Sequence, residues 1–103
     1  MAQTDDLALY TQWRQAKDRE AFQELVSRHT PMVYGVCRRI LTTQSETEEA
    51  TIEVFQMLAH APAGPQTHVA TWLHAAATTR ALQRTRLQRQ RPPSEPKAPP
   101  SAE

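Results

Sequence analysis

Apolar side chains recur at three- and four-residue intervals through the middle of the chain. Phe22, Leu25, Val26, Met32, Val33, Val36, Cys37 and Ile40, with His29 among them, fall on one face of a helix that the pattern carries to residue 41. Pro31 interrupts it, removing a backbone donor and crowding the preceding turn at a cost of about 3 kcal/mol. The apolar stripe nevertheless keeps its phase on both sides of Pro31, so the spacing predicts one kinked helix and not two.

Three more helices flank this one. The first is predicted from Thr4 or Asp5, whose side chains can accept from free N–H groups, to about Ala16; "KDRE" then restarts the chain with Asp18 as the next cap. After "LTTQ", Ser45 and Glu48 have the spacing of a capping box, and Glu46, Glu48 and Glu49 suit the positive end of a helix dipole. The third helix is therefore expected from about Glu46 to Ala61. Its buried stripe is expected at Ala50, Thr51, Val54, Met57, Leu58 and Ala61, with Phe55 at the margin. "PAGPQ" ends it, and Thr67 is placed to cap a fourth helix from about His68 to near Arg91. Val69, Trp72, Leu73, Ala76, Ala77 and Leu87 make the expected inner face of that helix, and His74, Thr78, Leu82, Thr85 and Arg89 the outer one, flanked by Arg86. With two glycines and no alternating stretch, the chain is predicted all-α, a compact bundle of about four helices over residues 1–91. Five prolines among residues 92–103 predict a disordered, extended tail.

Size and charge narrow the function. A domain of about ninety residues buries roughly 60 to 65% of its unfolded surface, enough for a helical bundle but not for a deep catalytic cavity. The single cysteine allows no internal disulfide, and no leader-like or membrane-spanning run is present, so a soluble cytoplasmic protein with no membrane association is expected. The net charge of +1 conceals a split. Residues 1–60 carry six Lys/Arg against nine Asp/Glu, a net −3, whereas residues 61–103 carry six against two, a net +4. One acidic face for a protein partner and one basic face for a polyanion would produce such a dipole; so would two solvated helix faces.

Enzyme chemistry finds no foothold in this pattern. The metal-ligand candidates His29, Cys37, His60, His68 and His74 show none of the spacings that bring ligands together, and His29 and Cys37 lie on the core stripe. There is no glycine-rich phosphate loop, and the acids gather at a helix start, where capping accounts for them. No cofactor and no metal are expected. The fourth helix carries a stronger signal. Residues 71–91, "TWLHAAATTRALQRTRLQRQR", hold five arginines and no acid, with Trp72 near the start, which combines phosphate-seeking cations with an indole able to stack or wedge beside a base. The plainer alternative leaves Trp72 in the core and the arginines as solubilising charges. On the third helix Ile52 points away from the buried stripe among Glu49, Glu53 and Gln56, an apolar side chain in an acidic patch, as expected of a docking face for a basic protein surface.

The order and spacing of three segments, "AFQELVSRHTPMVYGVCRRIL", "SETEEATIEVFQMLAH" and "TWLHAAATTRALQRTR", resemble region 2 of extracytoplasmic-function (ECF) sigma factors of the sigma-70 family, and "DDLALYTQWRQAKDREAF" extends the likeness almost to the N-terminus. The resemblance implies a helical bundle that docks on the clamp helices of the largest subunit of bacterial core RNA polymerase and opens promoter DNA at the −10 element. It places the polymerase contact on Glu46, Glu48, Glu49, Ile52, Glu53 and Gln56. It places the contact with the melted −10 strand on Trp72, His74, Thr78, Thr79, Arg80, Arg84 and Arg86, and capture of a flipped-out base on the loop from Pro62 to His68. An anti-sigma factor is a further implied partner. The chain departs from the family pattern at Ile52, where a glutamine is usual, and at Thr78 and Thr79, where a more polar or aromatic pair is usual. Family members also continue into a helix-turn-helix domain that reads the −35 element; here "RPPSEPKAPPSAE" follows, so a region 2 unit lacking that domain is expected. The alternative to an initiation factor is an interaction module that binds polymerase or an anti-sigma partner without promoter opening.

Overall fold

The computed structural model describes residues 5–90, with side chains through Gln88. The expected Pro-rich tail at 92–103, together with Thr4 and Arg91, lies outside the described residues. Four helices follow one another: α1 (Asp6–Ala16), α2 (Arg19–Ile40), α3 (Gln44–His60) and α4 (Val69–Gln90). No strand occurs among the described residues. The all-α bundle expected from the periodicity is the fold observed.

Capping explains the boundaries. Asp5 accepts from the Leu7 N–H at 3.0 Å to start α1, and Asp18 accepts from Glu20 and Ala21 at 3.1 and 3.2 Å to start α2. Between them Lys17 adopts the left-handed conformation (φ 53°, ψ 42°), its N–H bonding back to the carbonyl of Trp13 while the Asp18 N–H reaches Gln12. α2 runs unbroken through Pro31. The start of α3 corrects the expected capping box: the cap is Thr43, whose hydroxyl accepts from the Glu46 N–H at 3.1 Å, and the helix begins at Gln44 and ends at His60. Thr43 and Glu46 have the same three-residue spacing as Ser45 and Glu48; the earlier pair is the one used, and the Thr43 carbonyl also receives the hydroxyl of the buried Thr47. At α4 the carbonyl of His68, not the side chain of Thr67, receives the first helical bond, from the Trp72 N–H at 3.2 Å.

α2 packs against all three other helices, and α4 lies across α2 and α3. Leu25, Val33, Cys37, Val54, Leu58, Leu73 and Ala77 are fully buried where they meet. On α4 the core face begins with Val69 and Leu73 and continues in small residues, Ala76, Ala77 and Ala81, which let its backbone approach its neighbours closely. Two polar residues are buried with them. Thr47 donates to the Thr43 carbonyl and Thr51 to the Thr47 carbonyl, each at 2.8 Å, so neither hydroxyl is left without a partner in the core.

The buried stripes differ from expectation at several positions: Thr47 and Ala81 are buried and Ala61 only half-buried. Phe55 is buried, whereas Met57 is 39% exposed, and Leu87 is 56% exposed. α3 and α4 run antiparallel in a register that sets Arg84 against Glu49 and Arg80 against Glu53. Met57 therefore falls on the rim of the seam between them, and Leu87 reaches no further than the first turn of α3. Ala81 supplies the burial expected of Leu87.

Candidate functional site

The two sets of residues expected to meet different partners lie on neighbouring helices and touch each other. Arg80 Nε donates to Glu53 Oε1 at 2.7 Å; Arg84 donates from Nη1 to Glu53 Oε2 at 3.0 Å and from Nη2 to Glu49 Oε1 at 2.7 Å. The helices are therefore joined by a charged seam in which two of the candidate phosphate-binding cations are held by two of the candidate docking acids. Arg80 holds the Glu53 carboxyl below its ordinary value, with Arg84 adding to the effect against the opposing influence of burial. At the end of the seam Glu46, Arg80, Arg84, Leu87 and Gln88 line a cleft of about 180 Å³. Glu46 Oε1 and Arg84 Nε are buried there without a hydrogen-bond partner among the described residues.

Away from the seam the acidic face is open. Glu48, Glu49, Ile52 and Gln56 are exposed, Glu46 and Glu53 half-buried, and Gln44 Nε2 donates to Glu48 Oε2 at 2.9 Å. Ile52 is 58% exposed, as its position among polar neighbours predicts. It also forms one lip of an apolar groove of about 360 Å³ between α2 and α3, with Phe22, Val26, Thr51 and Phe55 in its walls. A groove of this composition beside acids suits an apolar anchor on a basic surface.

The candidate strand-binding residues on α4 fall into distinct environments. Trp72 is half-buried and packs against the core, while His74 and Thr79 are exposed. Thr78 is half-buried and donates its hydroxyl to the His74 carbonyl at 3.0 Å. Arg86 is exposed and makes no ion pair among the described residues. Of the three arginines, Arg86 is thus the one immediately available to a polyanion.

Beside these surfaces, the start of α1 and the middle of α2 form a second ionic cluster. Asp6 Oδ1 accepts from Arg28 Nη1 and Asp6 Oδ2 lies against His29 Nε2, both at 2.8 Å, and Arg28 Nε also reaches Glu24 at 3.0 Å. Burial pushes the Asp6 carboxyl up, but hydrogen bonds from Arg28 and His29 outweigh it and hold the group below its ordinary value. His29, read from sequence as a core position, is half-buried and serves in this pair. Cys37 is wholly buried as expected, and burial raises its thiol pKa.

Sequence reasoning missed the residues that hold the loop between α3 and α4. Trp13 Nε1 donates to the Ala59 carbonyl at 3.2 Å; Arg14 donates to the carbonyls of Ala61 and Pro62, the latter at 3.1 Å, and to Tyr10 Oη at 2.9 Å. The three bonds to backbone carbonyls join positions 46 to 48 residues apart, a separation that local periodicity does not report.

The sigma-70 region 2 family model matches residues 25–91, from the second turn of α2 through α3, the loop and the whole of α4. Neither curated proteins nor solved structures return a significant match. The family is a transcription-factor domain and not an enzyme family. The match takes in the acidic face, the loop and the arginine-bearing helix, and extends over more than half of the sequence: this chain belongs to the sigma-70 region 2 family.

Proposed function

We propose that the chain is a transcription initiation factor of the ECF sigma type, built on a domain at residues 1–91, that binds core RNA polymerase and the melted −10 strand of promoter DNA in the cytoplasm. The supporting observation is that one family match spans two chemically opposite surfaces on adjacent helices. Glu46, Glu48, Glu49, Ile52, Glu53 and Gln56, with the apolar groove beside Ile52, receive the clamp helices of the largest polymerase subunit. Trp72, His74, Thr78, Thr79, Arg80, Arg84 and Arg86, with the loop from Pro62 to His68, meet the displaced strand. Arginines hold phosphates and fix register, while the indole stacks against a base and the loop takes up the flipped one. No helix among the described residues is long and apolar enough to cross a membrane.

A pull-down with core RNA polymerase tests the docking half. Fluorescence anisotropy of a −10-like single strand, with and without polymerase at two salt concentrations, tests the other. Retention on polymerase together with salt-dependent strand binding on the complex is the expected result.

A second reading has its own observation. Because Glu49 and Glu53 already occupy Arg84 and Arg80, part of the basic face is neutralised within the fold, as suits a module that binds polymerase or an anti-sigma partner without opening DNA. Retention on polymerase with no salt-dependent strand binding in either setting would select it.

A further inference from the structure

α3 ends without the usual left-handed cap. Its cap residue Ala61 is extended (φ −63°, ψ 131°), so no following N–H folds back onto the last-turn carbonyls. Pro62 and Pro65 bring no N–H, and among the described residues no backbone–backbone hydrogen bond joins residues 61–67 to one another. The loop is held from outside, by α1. The planar fork of Arg14 spans the successive carbonyls of Ala61 and Pro62 while bonding Tyr10 Oη, and its cation sits at the negative end of the α3 dipole. Tyr10 is buried, and a Cβ added at Gly64 would lie 1.7 Å from its Oη, so the loop backbone rests directly on the phenol and only glycine permits that approach.

We propose that Arg14 and Tyr10 form a clamp that sets the conformation of residues 61–67 and thereby positions the loop for base capture. The proposal rests on the reading of this loop as the strand-capturing segment. Arg14 and Tyr10 themselves lie on α1, outside the segment matched by the family model. Both are positioning residues: Arg14 spends its donors on the loop and Tyr10 supplies the surface beneath it. Lysine, a point charge without the fork, cannot hold two successive carbonyls in the same way.

The test compares Arg14→Ala, Arg14→Lys and Gly64→Ala in the full chain. Two readouts are taken: the mobility of a nitroxide spin label carried on Ala63→Cys, an exposed loop position labelled selectively because Cys37 is buried, and the fluorescence gain of a 2-aminopurine base in a −10-like strand bound with core polymerase. The label is expected to reorient about twofold faster in Arg14→Ala, while the helical amides of Val54 and Leu58 stay protected from hydrogen exchange. The fluorescence gain should fall by more than half with the salt slope of binding unchanged, and Arg14→Lys should not restore it. Gly64→Ala should reproduce this by forcing the loop off Tyr10. Unchanged label mobility in both Arg14→Ala and Gly64→Ala overturns the clamp. So does a slope flattened by about 0.7 in Arg14→Ala, which would make Arg14 a direct phosphate contact. Raised label mobility with an undiminished fluorescence gain upholds the clamp and removes the loop from strand capture.

Discussion

Two ionic clusters tie this bundle together, and they are built differently. Between α1 and α2, both oxygens of Asp6 are matched, one by Arg28 and one by His29. Between α3 and α4, Glu49, Glu53, Arg80 and Arg84 interlock, yet Glu46 Oε1 and Arg84 Nε are buried in the same cleft without partners among the described residues. An unmatched buried polar group costs about 1 to 3 kcal/mol, so the second cluster gives back part of what its ion pairs contribute. The first joins residues with no assigned external partner. The second joins residues proposed to meet polymerase with residues proposed to meet DNA. A fully matched pair serves as a fastening; an imperfectly matched one can be exchanged for outside partners at lower cost.

Charge reversal at the seam should have the largest effect. Glu53→Lys sets a cation against Arg80 and Arg84 and is expected to destabilise the fold by about 2 to 4 kcal/mol, read as a lowered urea midpoint. Asp6→Asn keeps the shape of the first cluster but removes its charge. A loss of about 1 to 2 kcal/mol is expected, with amide exchange accelerated in α1 and unchanged in α4. Equal losses of exchange protection in both helices would erase the distinction between the clusters.

Acid should dissolve both. Glu53 and Asp6 are held below their ordinary values of 4.5 and 3.8, so each binds a proton less readily folded than unfolded. Their contribution is complete above the unfolded-state values and is lost as pH falls through the lower folded ones. Stability measured by urea titration should therefore decline as pH drops below about 4.5, and Glu53→Gln and Asp6→Asn should each flatten that decline. A decline of unaltered steepness in Glu53→Gln would show that the seam contributes nothing to it.

The smallest effect is the most informative about function. Glu53→Gln frees cations for phosphate, so single-strand binding should gain salt dependence, steepening the log-log slope by up to about 0.7 for each arginine released, while Arg86→Ala should flatten it by a similar amount. If Arg86→Ala alone changes the slope, the seam does not open for DNA.

The helices were legible because their signals are local. Asp5 and Asp18 announce two starts, and the stripe from Leu25 to Cys37 survives Pro31 with its phase intact. The exposure of Ile52 followed from its polar neighbours at helical spacing. The errors lie where the outcome depends on how one helix sits on another. Leu87 was assigned inward by phase, but the register leaves nothing beside it except the first turn of α3, and Phe55 and Met57 exchanged roles because α2 and α4 divide the faces of α3 between them. The pairing of Arg80 and Arg84 with α3 acids was invisible for the same reason, since a row of cations along one helix gives no sign of what lies opposite. Likewise the hold of α1 on the loop at 61–67 depends on a turn of chain brought back by tertiary packing.

The alanines that line the inner face of α4 also limit how this helix can change over time. Ala76, Ala77 and Ala81 are buried among their neighbours, so a larger side chain there would overpack the core, at a cost of about 1 to 3 kcal/mol. Positions carrying the smallest side chains are thus among the least free to drift, while the opposite face, with Leu82, Gln83 and Arg86 in solvent, accepts replacement at little energetic penalty. One helix thus meets two different constraints: a closed inner margin that preserves how the bundle is assembled, and an open outer one whose side chains can be replaced without endangering the scaffold.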